Sequence, residues 1–180
     1  TSSGTTTQNV TITVTGSNDV PVIVVGSTTA SGAITELAST LGSTTLDTAS
    51  GVIQFTDADL SNTHSVSRNS VTSTGVTSGL ATNTTVLSWL TLGSLADSTS
   101  GVTGTNSWSF SAADSYFDYL SSGEVLTLTY TVRVSDAHSS SQSQDVTITI
   151  TGSNDAPVVQ ASSASIAELG STLNSATLDT

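Results

Sequence analysis

Three acidic clusters have the residue types and spacing to gather a hard cation. The first is "GSND", which places Asn18 and Asp19, and again Asn154 and Asp155, directly after a run of alternating apolar residues and before Pro21 or Pro157. The proline biases its predecessor towards extended backbone and holds the connection straight. The second is "FTDADLSNTH", with Asp57 and Asp59 two apart and Asn62 close by. Two carboxylates so spaced in a turn can converge with nearby carbonyls on one ion, and Ca²⁺ takes six to eight oxygens at roughly 2.3–2.6 Å. The third is Asp136 in "VSDAHSS". Single acids, Glu36 and Glu168, follow an apolar residue in "ITEL" and "IAEL". Each cluster taken alone is also compatible with ordinary turn chemistry, because Asp bonds its own backbone in loops.

Charge narrows the partners. The chain carries 2 Lys+Arg against 14 Asp+Glu, a formal net charge of −12. Nucleic acid is excluded, since phosphate recognition needs clustered Lys and Arg, and an anionic membrane surface is disfavoured. A cation is the natural complement of so many carboxylates; solubility is the plainer use of the same charge. With no Cys and no Met, disulfides and thiolate metal sites are impossible. No apolar run approaches the ~20 residues of a spanning helix. No secretory leader opens the chain, so an internal piece of a longer protein is expected.

Catalysis is not expected. His64 and His138 each stand near an Asp, and serines abound, so counting alone does not exclude a Ser–His–Asp relay. Yet there is no GxSxG elbow, no His-x-x-x-His metal pair and no phosphate loop or dinucleotide fingerprint.

The chain repeats itself. "QNVTITVTGSNDVPV" at 8–22 returns as "QDVTITITGSNDAPV" at 144–158, with twelve of fifteen positions identical. "ITELASTLGSTTLDT" at 34–48 returns as "IAELGSTLNSATLDT" at 166–180. Two echoes in the same order at nearly one period mean tandem repeats. The chain is expected to hold the C-terminal strand and linker of a preceding repeat (1–20), one whole repeat (21–156) and the N-terminal part of a following one (157–180). A unit of about 135 residues is large enough to bury its own core.

The elements that must position these acids read as strands. In "LTLTYTVRV", Leu126, Leu128, Tyr130, Val132 and Val134 share one face and Thr127, Thr129, Thr131 and Arg133 the other; such alternation is a half-buried strand. "VTITVT" at 10–15 alternates likewise. Further strands are expected at 20–25, 51–56, 64–72, 86–92, 107–111 and 144–151, with one helical turn in "SAADSYFDYL". Seven or so short strands with polar turns between them predict an all-β fold, an antiparallel Ig-like or cadherin-like β-sandwich. Trp89, Trp108, Phe110, Phe117 and Tyr130 are expected to plug its core; the other use of the tryptophans would be sugar stacking. The Gly-, Ser- and Thr-rich stretch 73–106 has room for an exposed loop.

The order of these motifs resembles a known arrangement. "SND" before Pro, a Glu some fifteen residues on, "TDAD", an Asp after the penultimate strand and "SNDAP" again is similar to the cadherin repeat. It resembles more closely the VCBS or cadherin-like tandem repeats of large RTX-type bacterial surface adhesins. The phrases "FTDADLSNTHSVS", "SWSFSAADSYFDYLSSGEVLTLTYTVRVSD" and "VTITITGSNDAPV" carry it, and it spans nearly all of 21–156 and both partial repeats.

The resemblance implies a structural extender of a secreted, cell-surface adhesin, rigidified by Ca²⁺ at interdomain junctions and serving cell adhesion or biofilm formation. It implies Asn18, Asp19, Asp57, Asp59 and Asp136 as metal ligands at one end of the repeat, with Asn62 a weaker candidate. At the other end it implies Glu36, Asn154 and Asp155. The sequence departs from the cadherin pattern in lacking its Asp-Arg-Glu, for which Asp114 and Asp118 are approximate substitutes, and in having Gly and Ala around the linker "SND". These departures imply fewer or weaker ions. The lower junction would need the next repeat's "DAD" and the upper one the preceding repeat's Glu, so each junction is expected to be half present, with weakened calcium binding. Expected partners are neighbouring repeats of the same chain and a glycan or protein at a host or biofilm surface, with no membrane insertion. The chain is expected to be a monomer, or to associate weakly head-to-tail or by strand swapping. The alternative function is a Ca²⁺-dependent glycan- or protein-binding module.

Overall fold

A computed structural model describes residues 1, 3–157 and 161–165 of the protein. The second echo at 166–180, with Glu168, lies outside the described residues, as do 158–160 of the expected following repeat. Among the described residues, eight strands run in chain order: β1 (Val22–Ile23), β2 (Ser31–Thr35), β3 (Leu46–Thr56), β4 (His64–Gly75), β5 (Leu90–Ala96), β6 (Gly104–Ala113), β7 (Val125–Asp136) and β8 (Ser141–Thr151). They form two four-stranded sheets, β1-β3-β6-β5 and β2-β8-β7-β4. The protein is a β-sandwich, as the alternation predicts. One pair departs from the antiparallel expectation: β2 runs parallel to β8, because the chain leaves the first sheet after β1 and enters the second beside its last strand.

Packing follows from the period of two. On β7, Leu126, Leu128, Tyr130, Val132 and Val134 are fully buried, and on β8 Val146, Ile148 and Ile150 join them. The opposing sheet contributes Ile53, Phe55, Trp108 and Phe110. All five expected core aromatics are buried, which leaves no tryptophan free to stack on a sugar. Trp108 Nε1 donates to the Thr29 carbonyl at 2.7 Å, and the Tyr130 hydroxyl to the Val86 carbonyl at 2.9 Å. Each ring thus buries its body and still satisfies its polar tip.

Two elements differ from the sequence reading. The expected strand at 86–92 begins as a helix, α1 (Asn83–Ser88), and becomes strand β5 only at Leu90. The Thr82 side chain accepts from the Thr85 N–H and starts the helix, and Val86 is its buried residue. A short apolar run does not reveal its period unaided. With α1, β5 and the start of β6 in place, 73–106 is structured rather than one exposed loop. The second difference is at 10–15, which forms no strand; Val10, Ile12 and Val14 are 81–88% exposed. The near-identical 146–151 lies paired between β7 and β2. A strand needs neighbours, and no described segment supplies them to 10–15.

β3 fixes the geography that matters for chemistry. Asp47, at its start, and Asp57, just past its end, are separated by about 33 Å of extended chain. The acids therefore fall at opposite ends of the sandwich: a linker end, with residues 16–20, 57–64, 97 and 136–140, and an exit end, with 36–47, 114–118 and 153–155.

Candidate metal centre

At the linker end the expected residues meet, held mostly by N–H donors. Asn18 Nδ2 donates to Asp136 Oδ2 at 2.8 Å and to Ser140 Oγ at 3.0 Å. The Asp19 N–H donates to Asp59 Oδ2 at 2.6 Å. Asn62 Nδ2 donates to Asn18 Oδ1 at 2.9 Å. Asp136 Oδ1 accepts the N–H groups of His138 and Ser140, both at 2.8 Å. The Asn18 hydrogen bond, with those two amides, holds the Asp136 carboxyl below the usual carboxylate range despite its desolvation.

Asp57 is turned inward. Its Oδ1 accepts the Asp59 N–H at 2.8 Å and its Oδ2 lies 2.9 Å from His64 Nε2. His64 Nδ1 lies 2.6 Å from Asp97 Oδ1. Burial pulls the imidazole pKa down, but the hydrogen bonds and charges of Asp57 and Asp97 outweigh it and raise it above the ordinary value. Ser98 Oγ stands 3.4 Å from the same ring, but Ser98 is 1% exposed. This Asp–His–Ser set fastens the loop 97–98 to the start of β4, through the His64 N–H and ring on Asp97. Sequence reasoning missed Asp97, since only the fold brings it to His64.

The exit end is built differently. Glu36 follows β2, Asp114 and Asp118 belong to the turn after β6, and Asp155 follows β8. Glu36, Asp118 and Asp155 each have a partner on one oxygen. Glu36 Oε2 accepts the Ser153 N–H at 3.0 Å, Asp155 Oδ1 the Thr40 N–H at 2.9 Å, and Asp118 Oδ2 the Gly42 N–H at 2.7 Å. Asp114 is fully engaged, accepting from the Leu37 N–H at 2.9 Å and the Thr40 hydroxyl at 3.0 Å. The remaining oxygens, Glu36 Oε1, Asp118 Oδ1 and Asp155 Oδ2, are buried and have no hydrogen-bond partner.

Carboxylate oxygens of Glu36, Asp118 and Asp155 lie within 4.8 Å of one another, and among the described residues no other three His, Cys, Asp or Glu side chains meet so closely. Burial, with the charges of Asp155, Asp114 and Asp118, pushes the Glu36 carboxyl up to about 7 against the opposing Ser153 amide. Buried polar atoms in folded proteins are almost always satisfied. Three carboxylates that meet this closely, each with a buried oxygen left unsatisfied, therefore fit a hard, oxygen-seeking cation.

Of the expected set, Glu36 and Asp155 come together here. Asn154 does not join them: its backbone carbonyl accepts the Ser39 N–H at 3.0 Å and its side chain donates to the Asp155 carbonyl at 3.3 Å. Asp118 takes the third place. The sequence signal for it is the acid pair four apart in "DSYFD", which the resemblance offers as an approximate substitute for the Asp-Arg-Glu. Asp47, which the motifs did not mark, is also buried at this end.

No family model matches the chain, and no curated protein matches it. Among solved structures, the ASH/PapD-like domain 7 of human CEP192 is similar with a TM-score of 0.42 and 11% identity, over 84% of this chain and 96% of that one. The CooA pilin subunit of enterotoxigenic Escherichia coli is similar with a TM-score of 0.35 and 15% identity, over 71% of this chain and 91% of that one.

Proposed function

We propose that the chain is a structural spacer unit of an extracellular adhesin, stiffened by a divalent cation that ties its exit segment to the body of the sandwich. The observations that carry this are that Glu36, Asp118 and Asp155 bring carboxylate oxygens within 4.8 Å of one another and that each keeps one buried oxygen without a hydrogen-bond partner. The three acids come from three chain segments far apart in sequence, one of them the stretch through which the chain leaves β8. A cation there would neutralise their repulsion and fix the direction of 153–157 relative to the fold. Calcium is the ion of choice: the donors are carboxylates, and calcium accepts irregular oxygen shells.

Supporting the spacer reading are the tandem echo, the resemblance to adhesin repeats, and core aromatics committed to packing rather than to a ligand. No helix among the described residues is long and apolar enough to cross a membrane. At the linker end the acids expected as ligands are already bonded to amide donors, so the cation is assigned to the exit end.

Small-angle scattering of a chain with two consecutive complete units tests this. An extended, narrow distance distribution is expected in calcium and a broad one in chelator. Identical profiles in both would sink the stiffening role.

A further inference from the structure

The "GSND" motif occurs once ahead of the sandwich and once behind it, and each copy shows a different half of its bonding. Gly16, Ser17, Asn18 and Asp19 correspond to Gly152, Ser153, Asn154 and Asp155. The first copy meets the sandwich that follows it. It uses the Asn18 side chain, which donates to Asp136 and Ser140 and accepts from Asn62, and the Asp19 N–H, which donates to Asp59.

The second copy meets the sandwich that precedes it, and it uses other atoms. The Ser153 N–H donates to Glu36 Oε2 at 3.0 Å, the Asn154 carbonyl accepts the Ser39 N–H at 3.0 Å, and Asp155 Oδ1 accepts the Thr40 N–H at 2.9 Å. Among the described residues the Asp155 N–H finds no acceptor, and the Asn154 side chain bonds only to the adjacent Asp155 carbonyl. The glycine divides the same way. A Cβ at Gly152 would come within 2.5 Å of the Ser121 carbonyl, whereas one at Gly16 would meet nothing within 4 Å.

The two sets of atoms do not overlap, and the backbone keeps them apart. The peptide joining Asn154 to Asp155 is trans, so its C=O and its N–H point in opposite directions. The C=O faces the unit behind. The N–H, whose counterpart at Asp19 reaches Asp59, is left facing away from it. The ends of the sandwich suit such a joint. Leu37, Leu41 and Tyr116 are exposed at the exit end and Leu60 and Val102 at the linker end, while the outward faces of the sheets carry mostly Ser and Thr. Apolar groups gathered at both ends are covered when an exit end meets a linker end.

We infer that one "GSND" motif clasps two sandwiches at once. A following copy of this unit docks its linker end on the exit end of the unit before, with the Asn154 side chain and the Asp155 N–H bonded to that copy's counterparts of Asp136 and Asp59. This rests on the tandem-unit reading but not on the cation, since every bond in the clasp is made by protein atoms. It also accounts for Asn154 standing apart from the exit-end acids: its side chain serves the next unit.

The test compares the 180-residue chain with a chain of two consecutive complete units, both in calcium, so that any bound cation is common to both. Hydrogen exchange at the Asp155 amide is read by NMR. In the two-unit chain it is expected to be about tenfold slower or more, because the amide gains a carboxylate acceptor. Equal exchange in the two chains overturns the clasp.

Asn154→Ala supplies a second readout. In the 180-residue chain it is expected to melt with the parent and to respond equally to calcium, because the side chain touches only its own neighbour. In the two-unit chain it is expected to broaden the distance distribution in calcium and to speed exchange at Asp155. A variant that scatters as narrowly as its parent overturns the clasp and leaves the stiffening by the cation standing. A parent that scatters alike in calcium and in chelator overturns that stiffening instead, and a slowed Asp155 amide then leaves the clasp standing.

Discussion

At the scale of single residues, the two ends of the sandwich solve one electrostatic problem in opposite ways. Near the linker, carboxylates are met by N–H donors: Asn18 for Asp136, the Asp19 amide for Asp59, His64 for Asp57. At the exit, Glu36, Asp118 and Asp155 each keep one oxygen without a partner. A pH dependence follows, and its sign is opposite to the usual one for carboxylates. Glu36 is raised from 4.5 to about 7 in the fold, so between those values the folded state binds more protons than the unfolded one. Stability of the chelated chain should therefore fall as pH rises through that window. Asp47, raised from 3.8 to about 6, adds to the fall. Excess calcium should flatten or reverse it, because the cation favours the ionised acids. Melts across pH in chelator and in calcium measure both slopes, and a chelated chain that gains stability from pH 4.5 to 7 would contradict this account.

At the scale of elements, the linker is fastened by a few side-chain bonds rather than by a sheet. Asn18→Ala is expected to raise the Asp136 pKa towards the ordinary value, because the hydrogen bond that favours its charged form is lost. It should also speed hydrogen exchange in 16–20 with little change in the core. A titration followed by NMR reads the first effect and exchange mass spectrometry the second. In the sandwich itself, Gly51 lies against Trp108: a Cβ there would come within 2.6 Å of the indole. Gly51→Ala should cost about 1–3 kcal/mol by overpacking, measurable by denaturant unfolding.

Much of this architecture was legible in the sequence. Alternation in "LTLTYTVRV" gives β7 its buried face, and the turn acids mark the ends of β3 and β7. What was hidden depends on contacts distant in sequence. The helix at 83–88 rests on the Thr82 cap and on a Tyr130 hydroxyl far along the chain. Asp47 looks like an ordinary strand residue until the fold buries it at the exit end, within reach of the charge of Asp114. The alternation at 10–15 predicts a strand, yet a pattern specifies only a preference, and pairing needs partners.

At the scale of the whole molecule, the same exposed segment has a consequence. Val10, Ile12 and Val14 alternate along an exposed, unpaired segment, and such segments seek sheet edges in other molecules. Weak association at high concentration is expected in sedimentation, and it should vanish when the three residues are changed to Thr. The chain's −12 charge opposes association, so added salt should strengthen it.

The central claim is that a divalent cation binds the folded exit end through Glu36, Asp118 and Asp155. The most direct measurement is a thermal melt of the parent and of Asp118→Asn, each in excess calcium and in chelator. With calcium at about 100 times its Kd, linkage gives roughly 2.7 kcal/mol, or a rise of about 5–10 °C for a domain of this size. The parent is expected to show that rise, and Asp118→Asn to lose most of it while folding normally in chelator. A parent melting at one temperature in both conditions, or a variant that keeps the full rise, would contradict the claim.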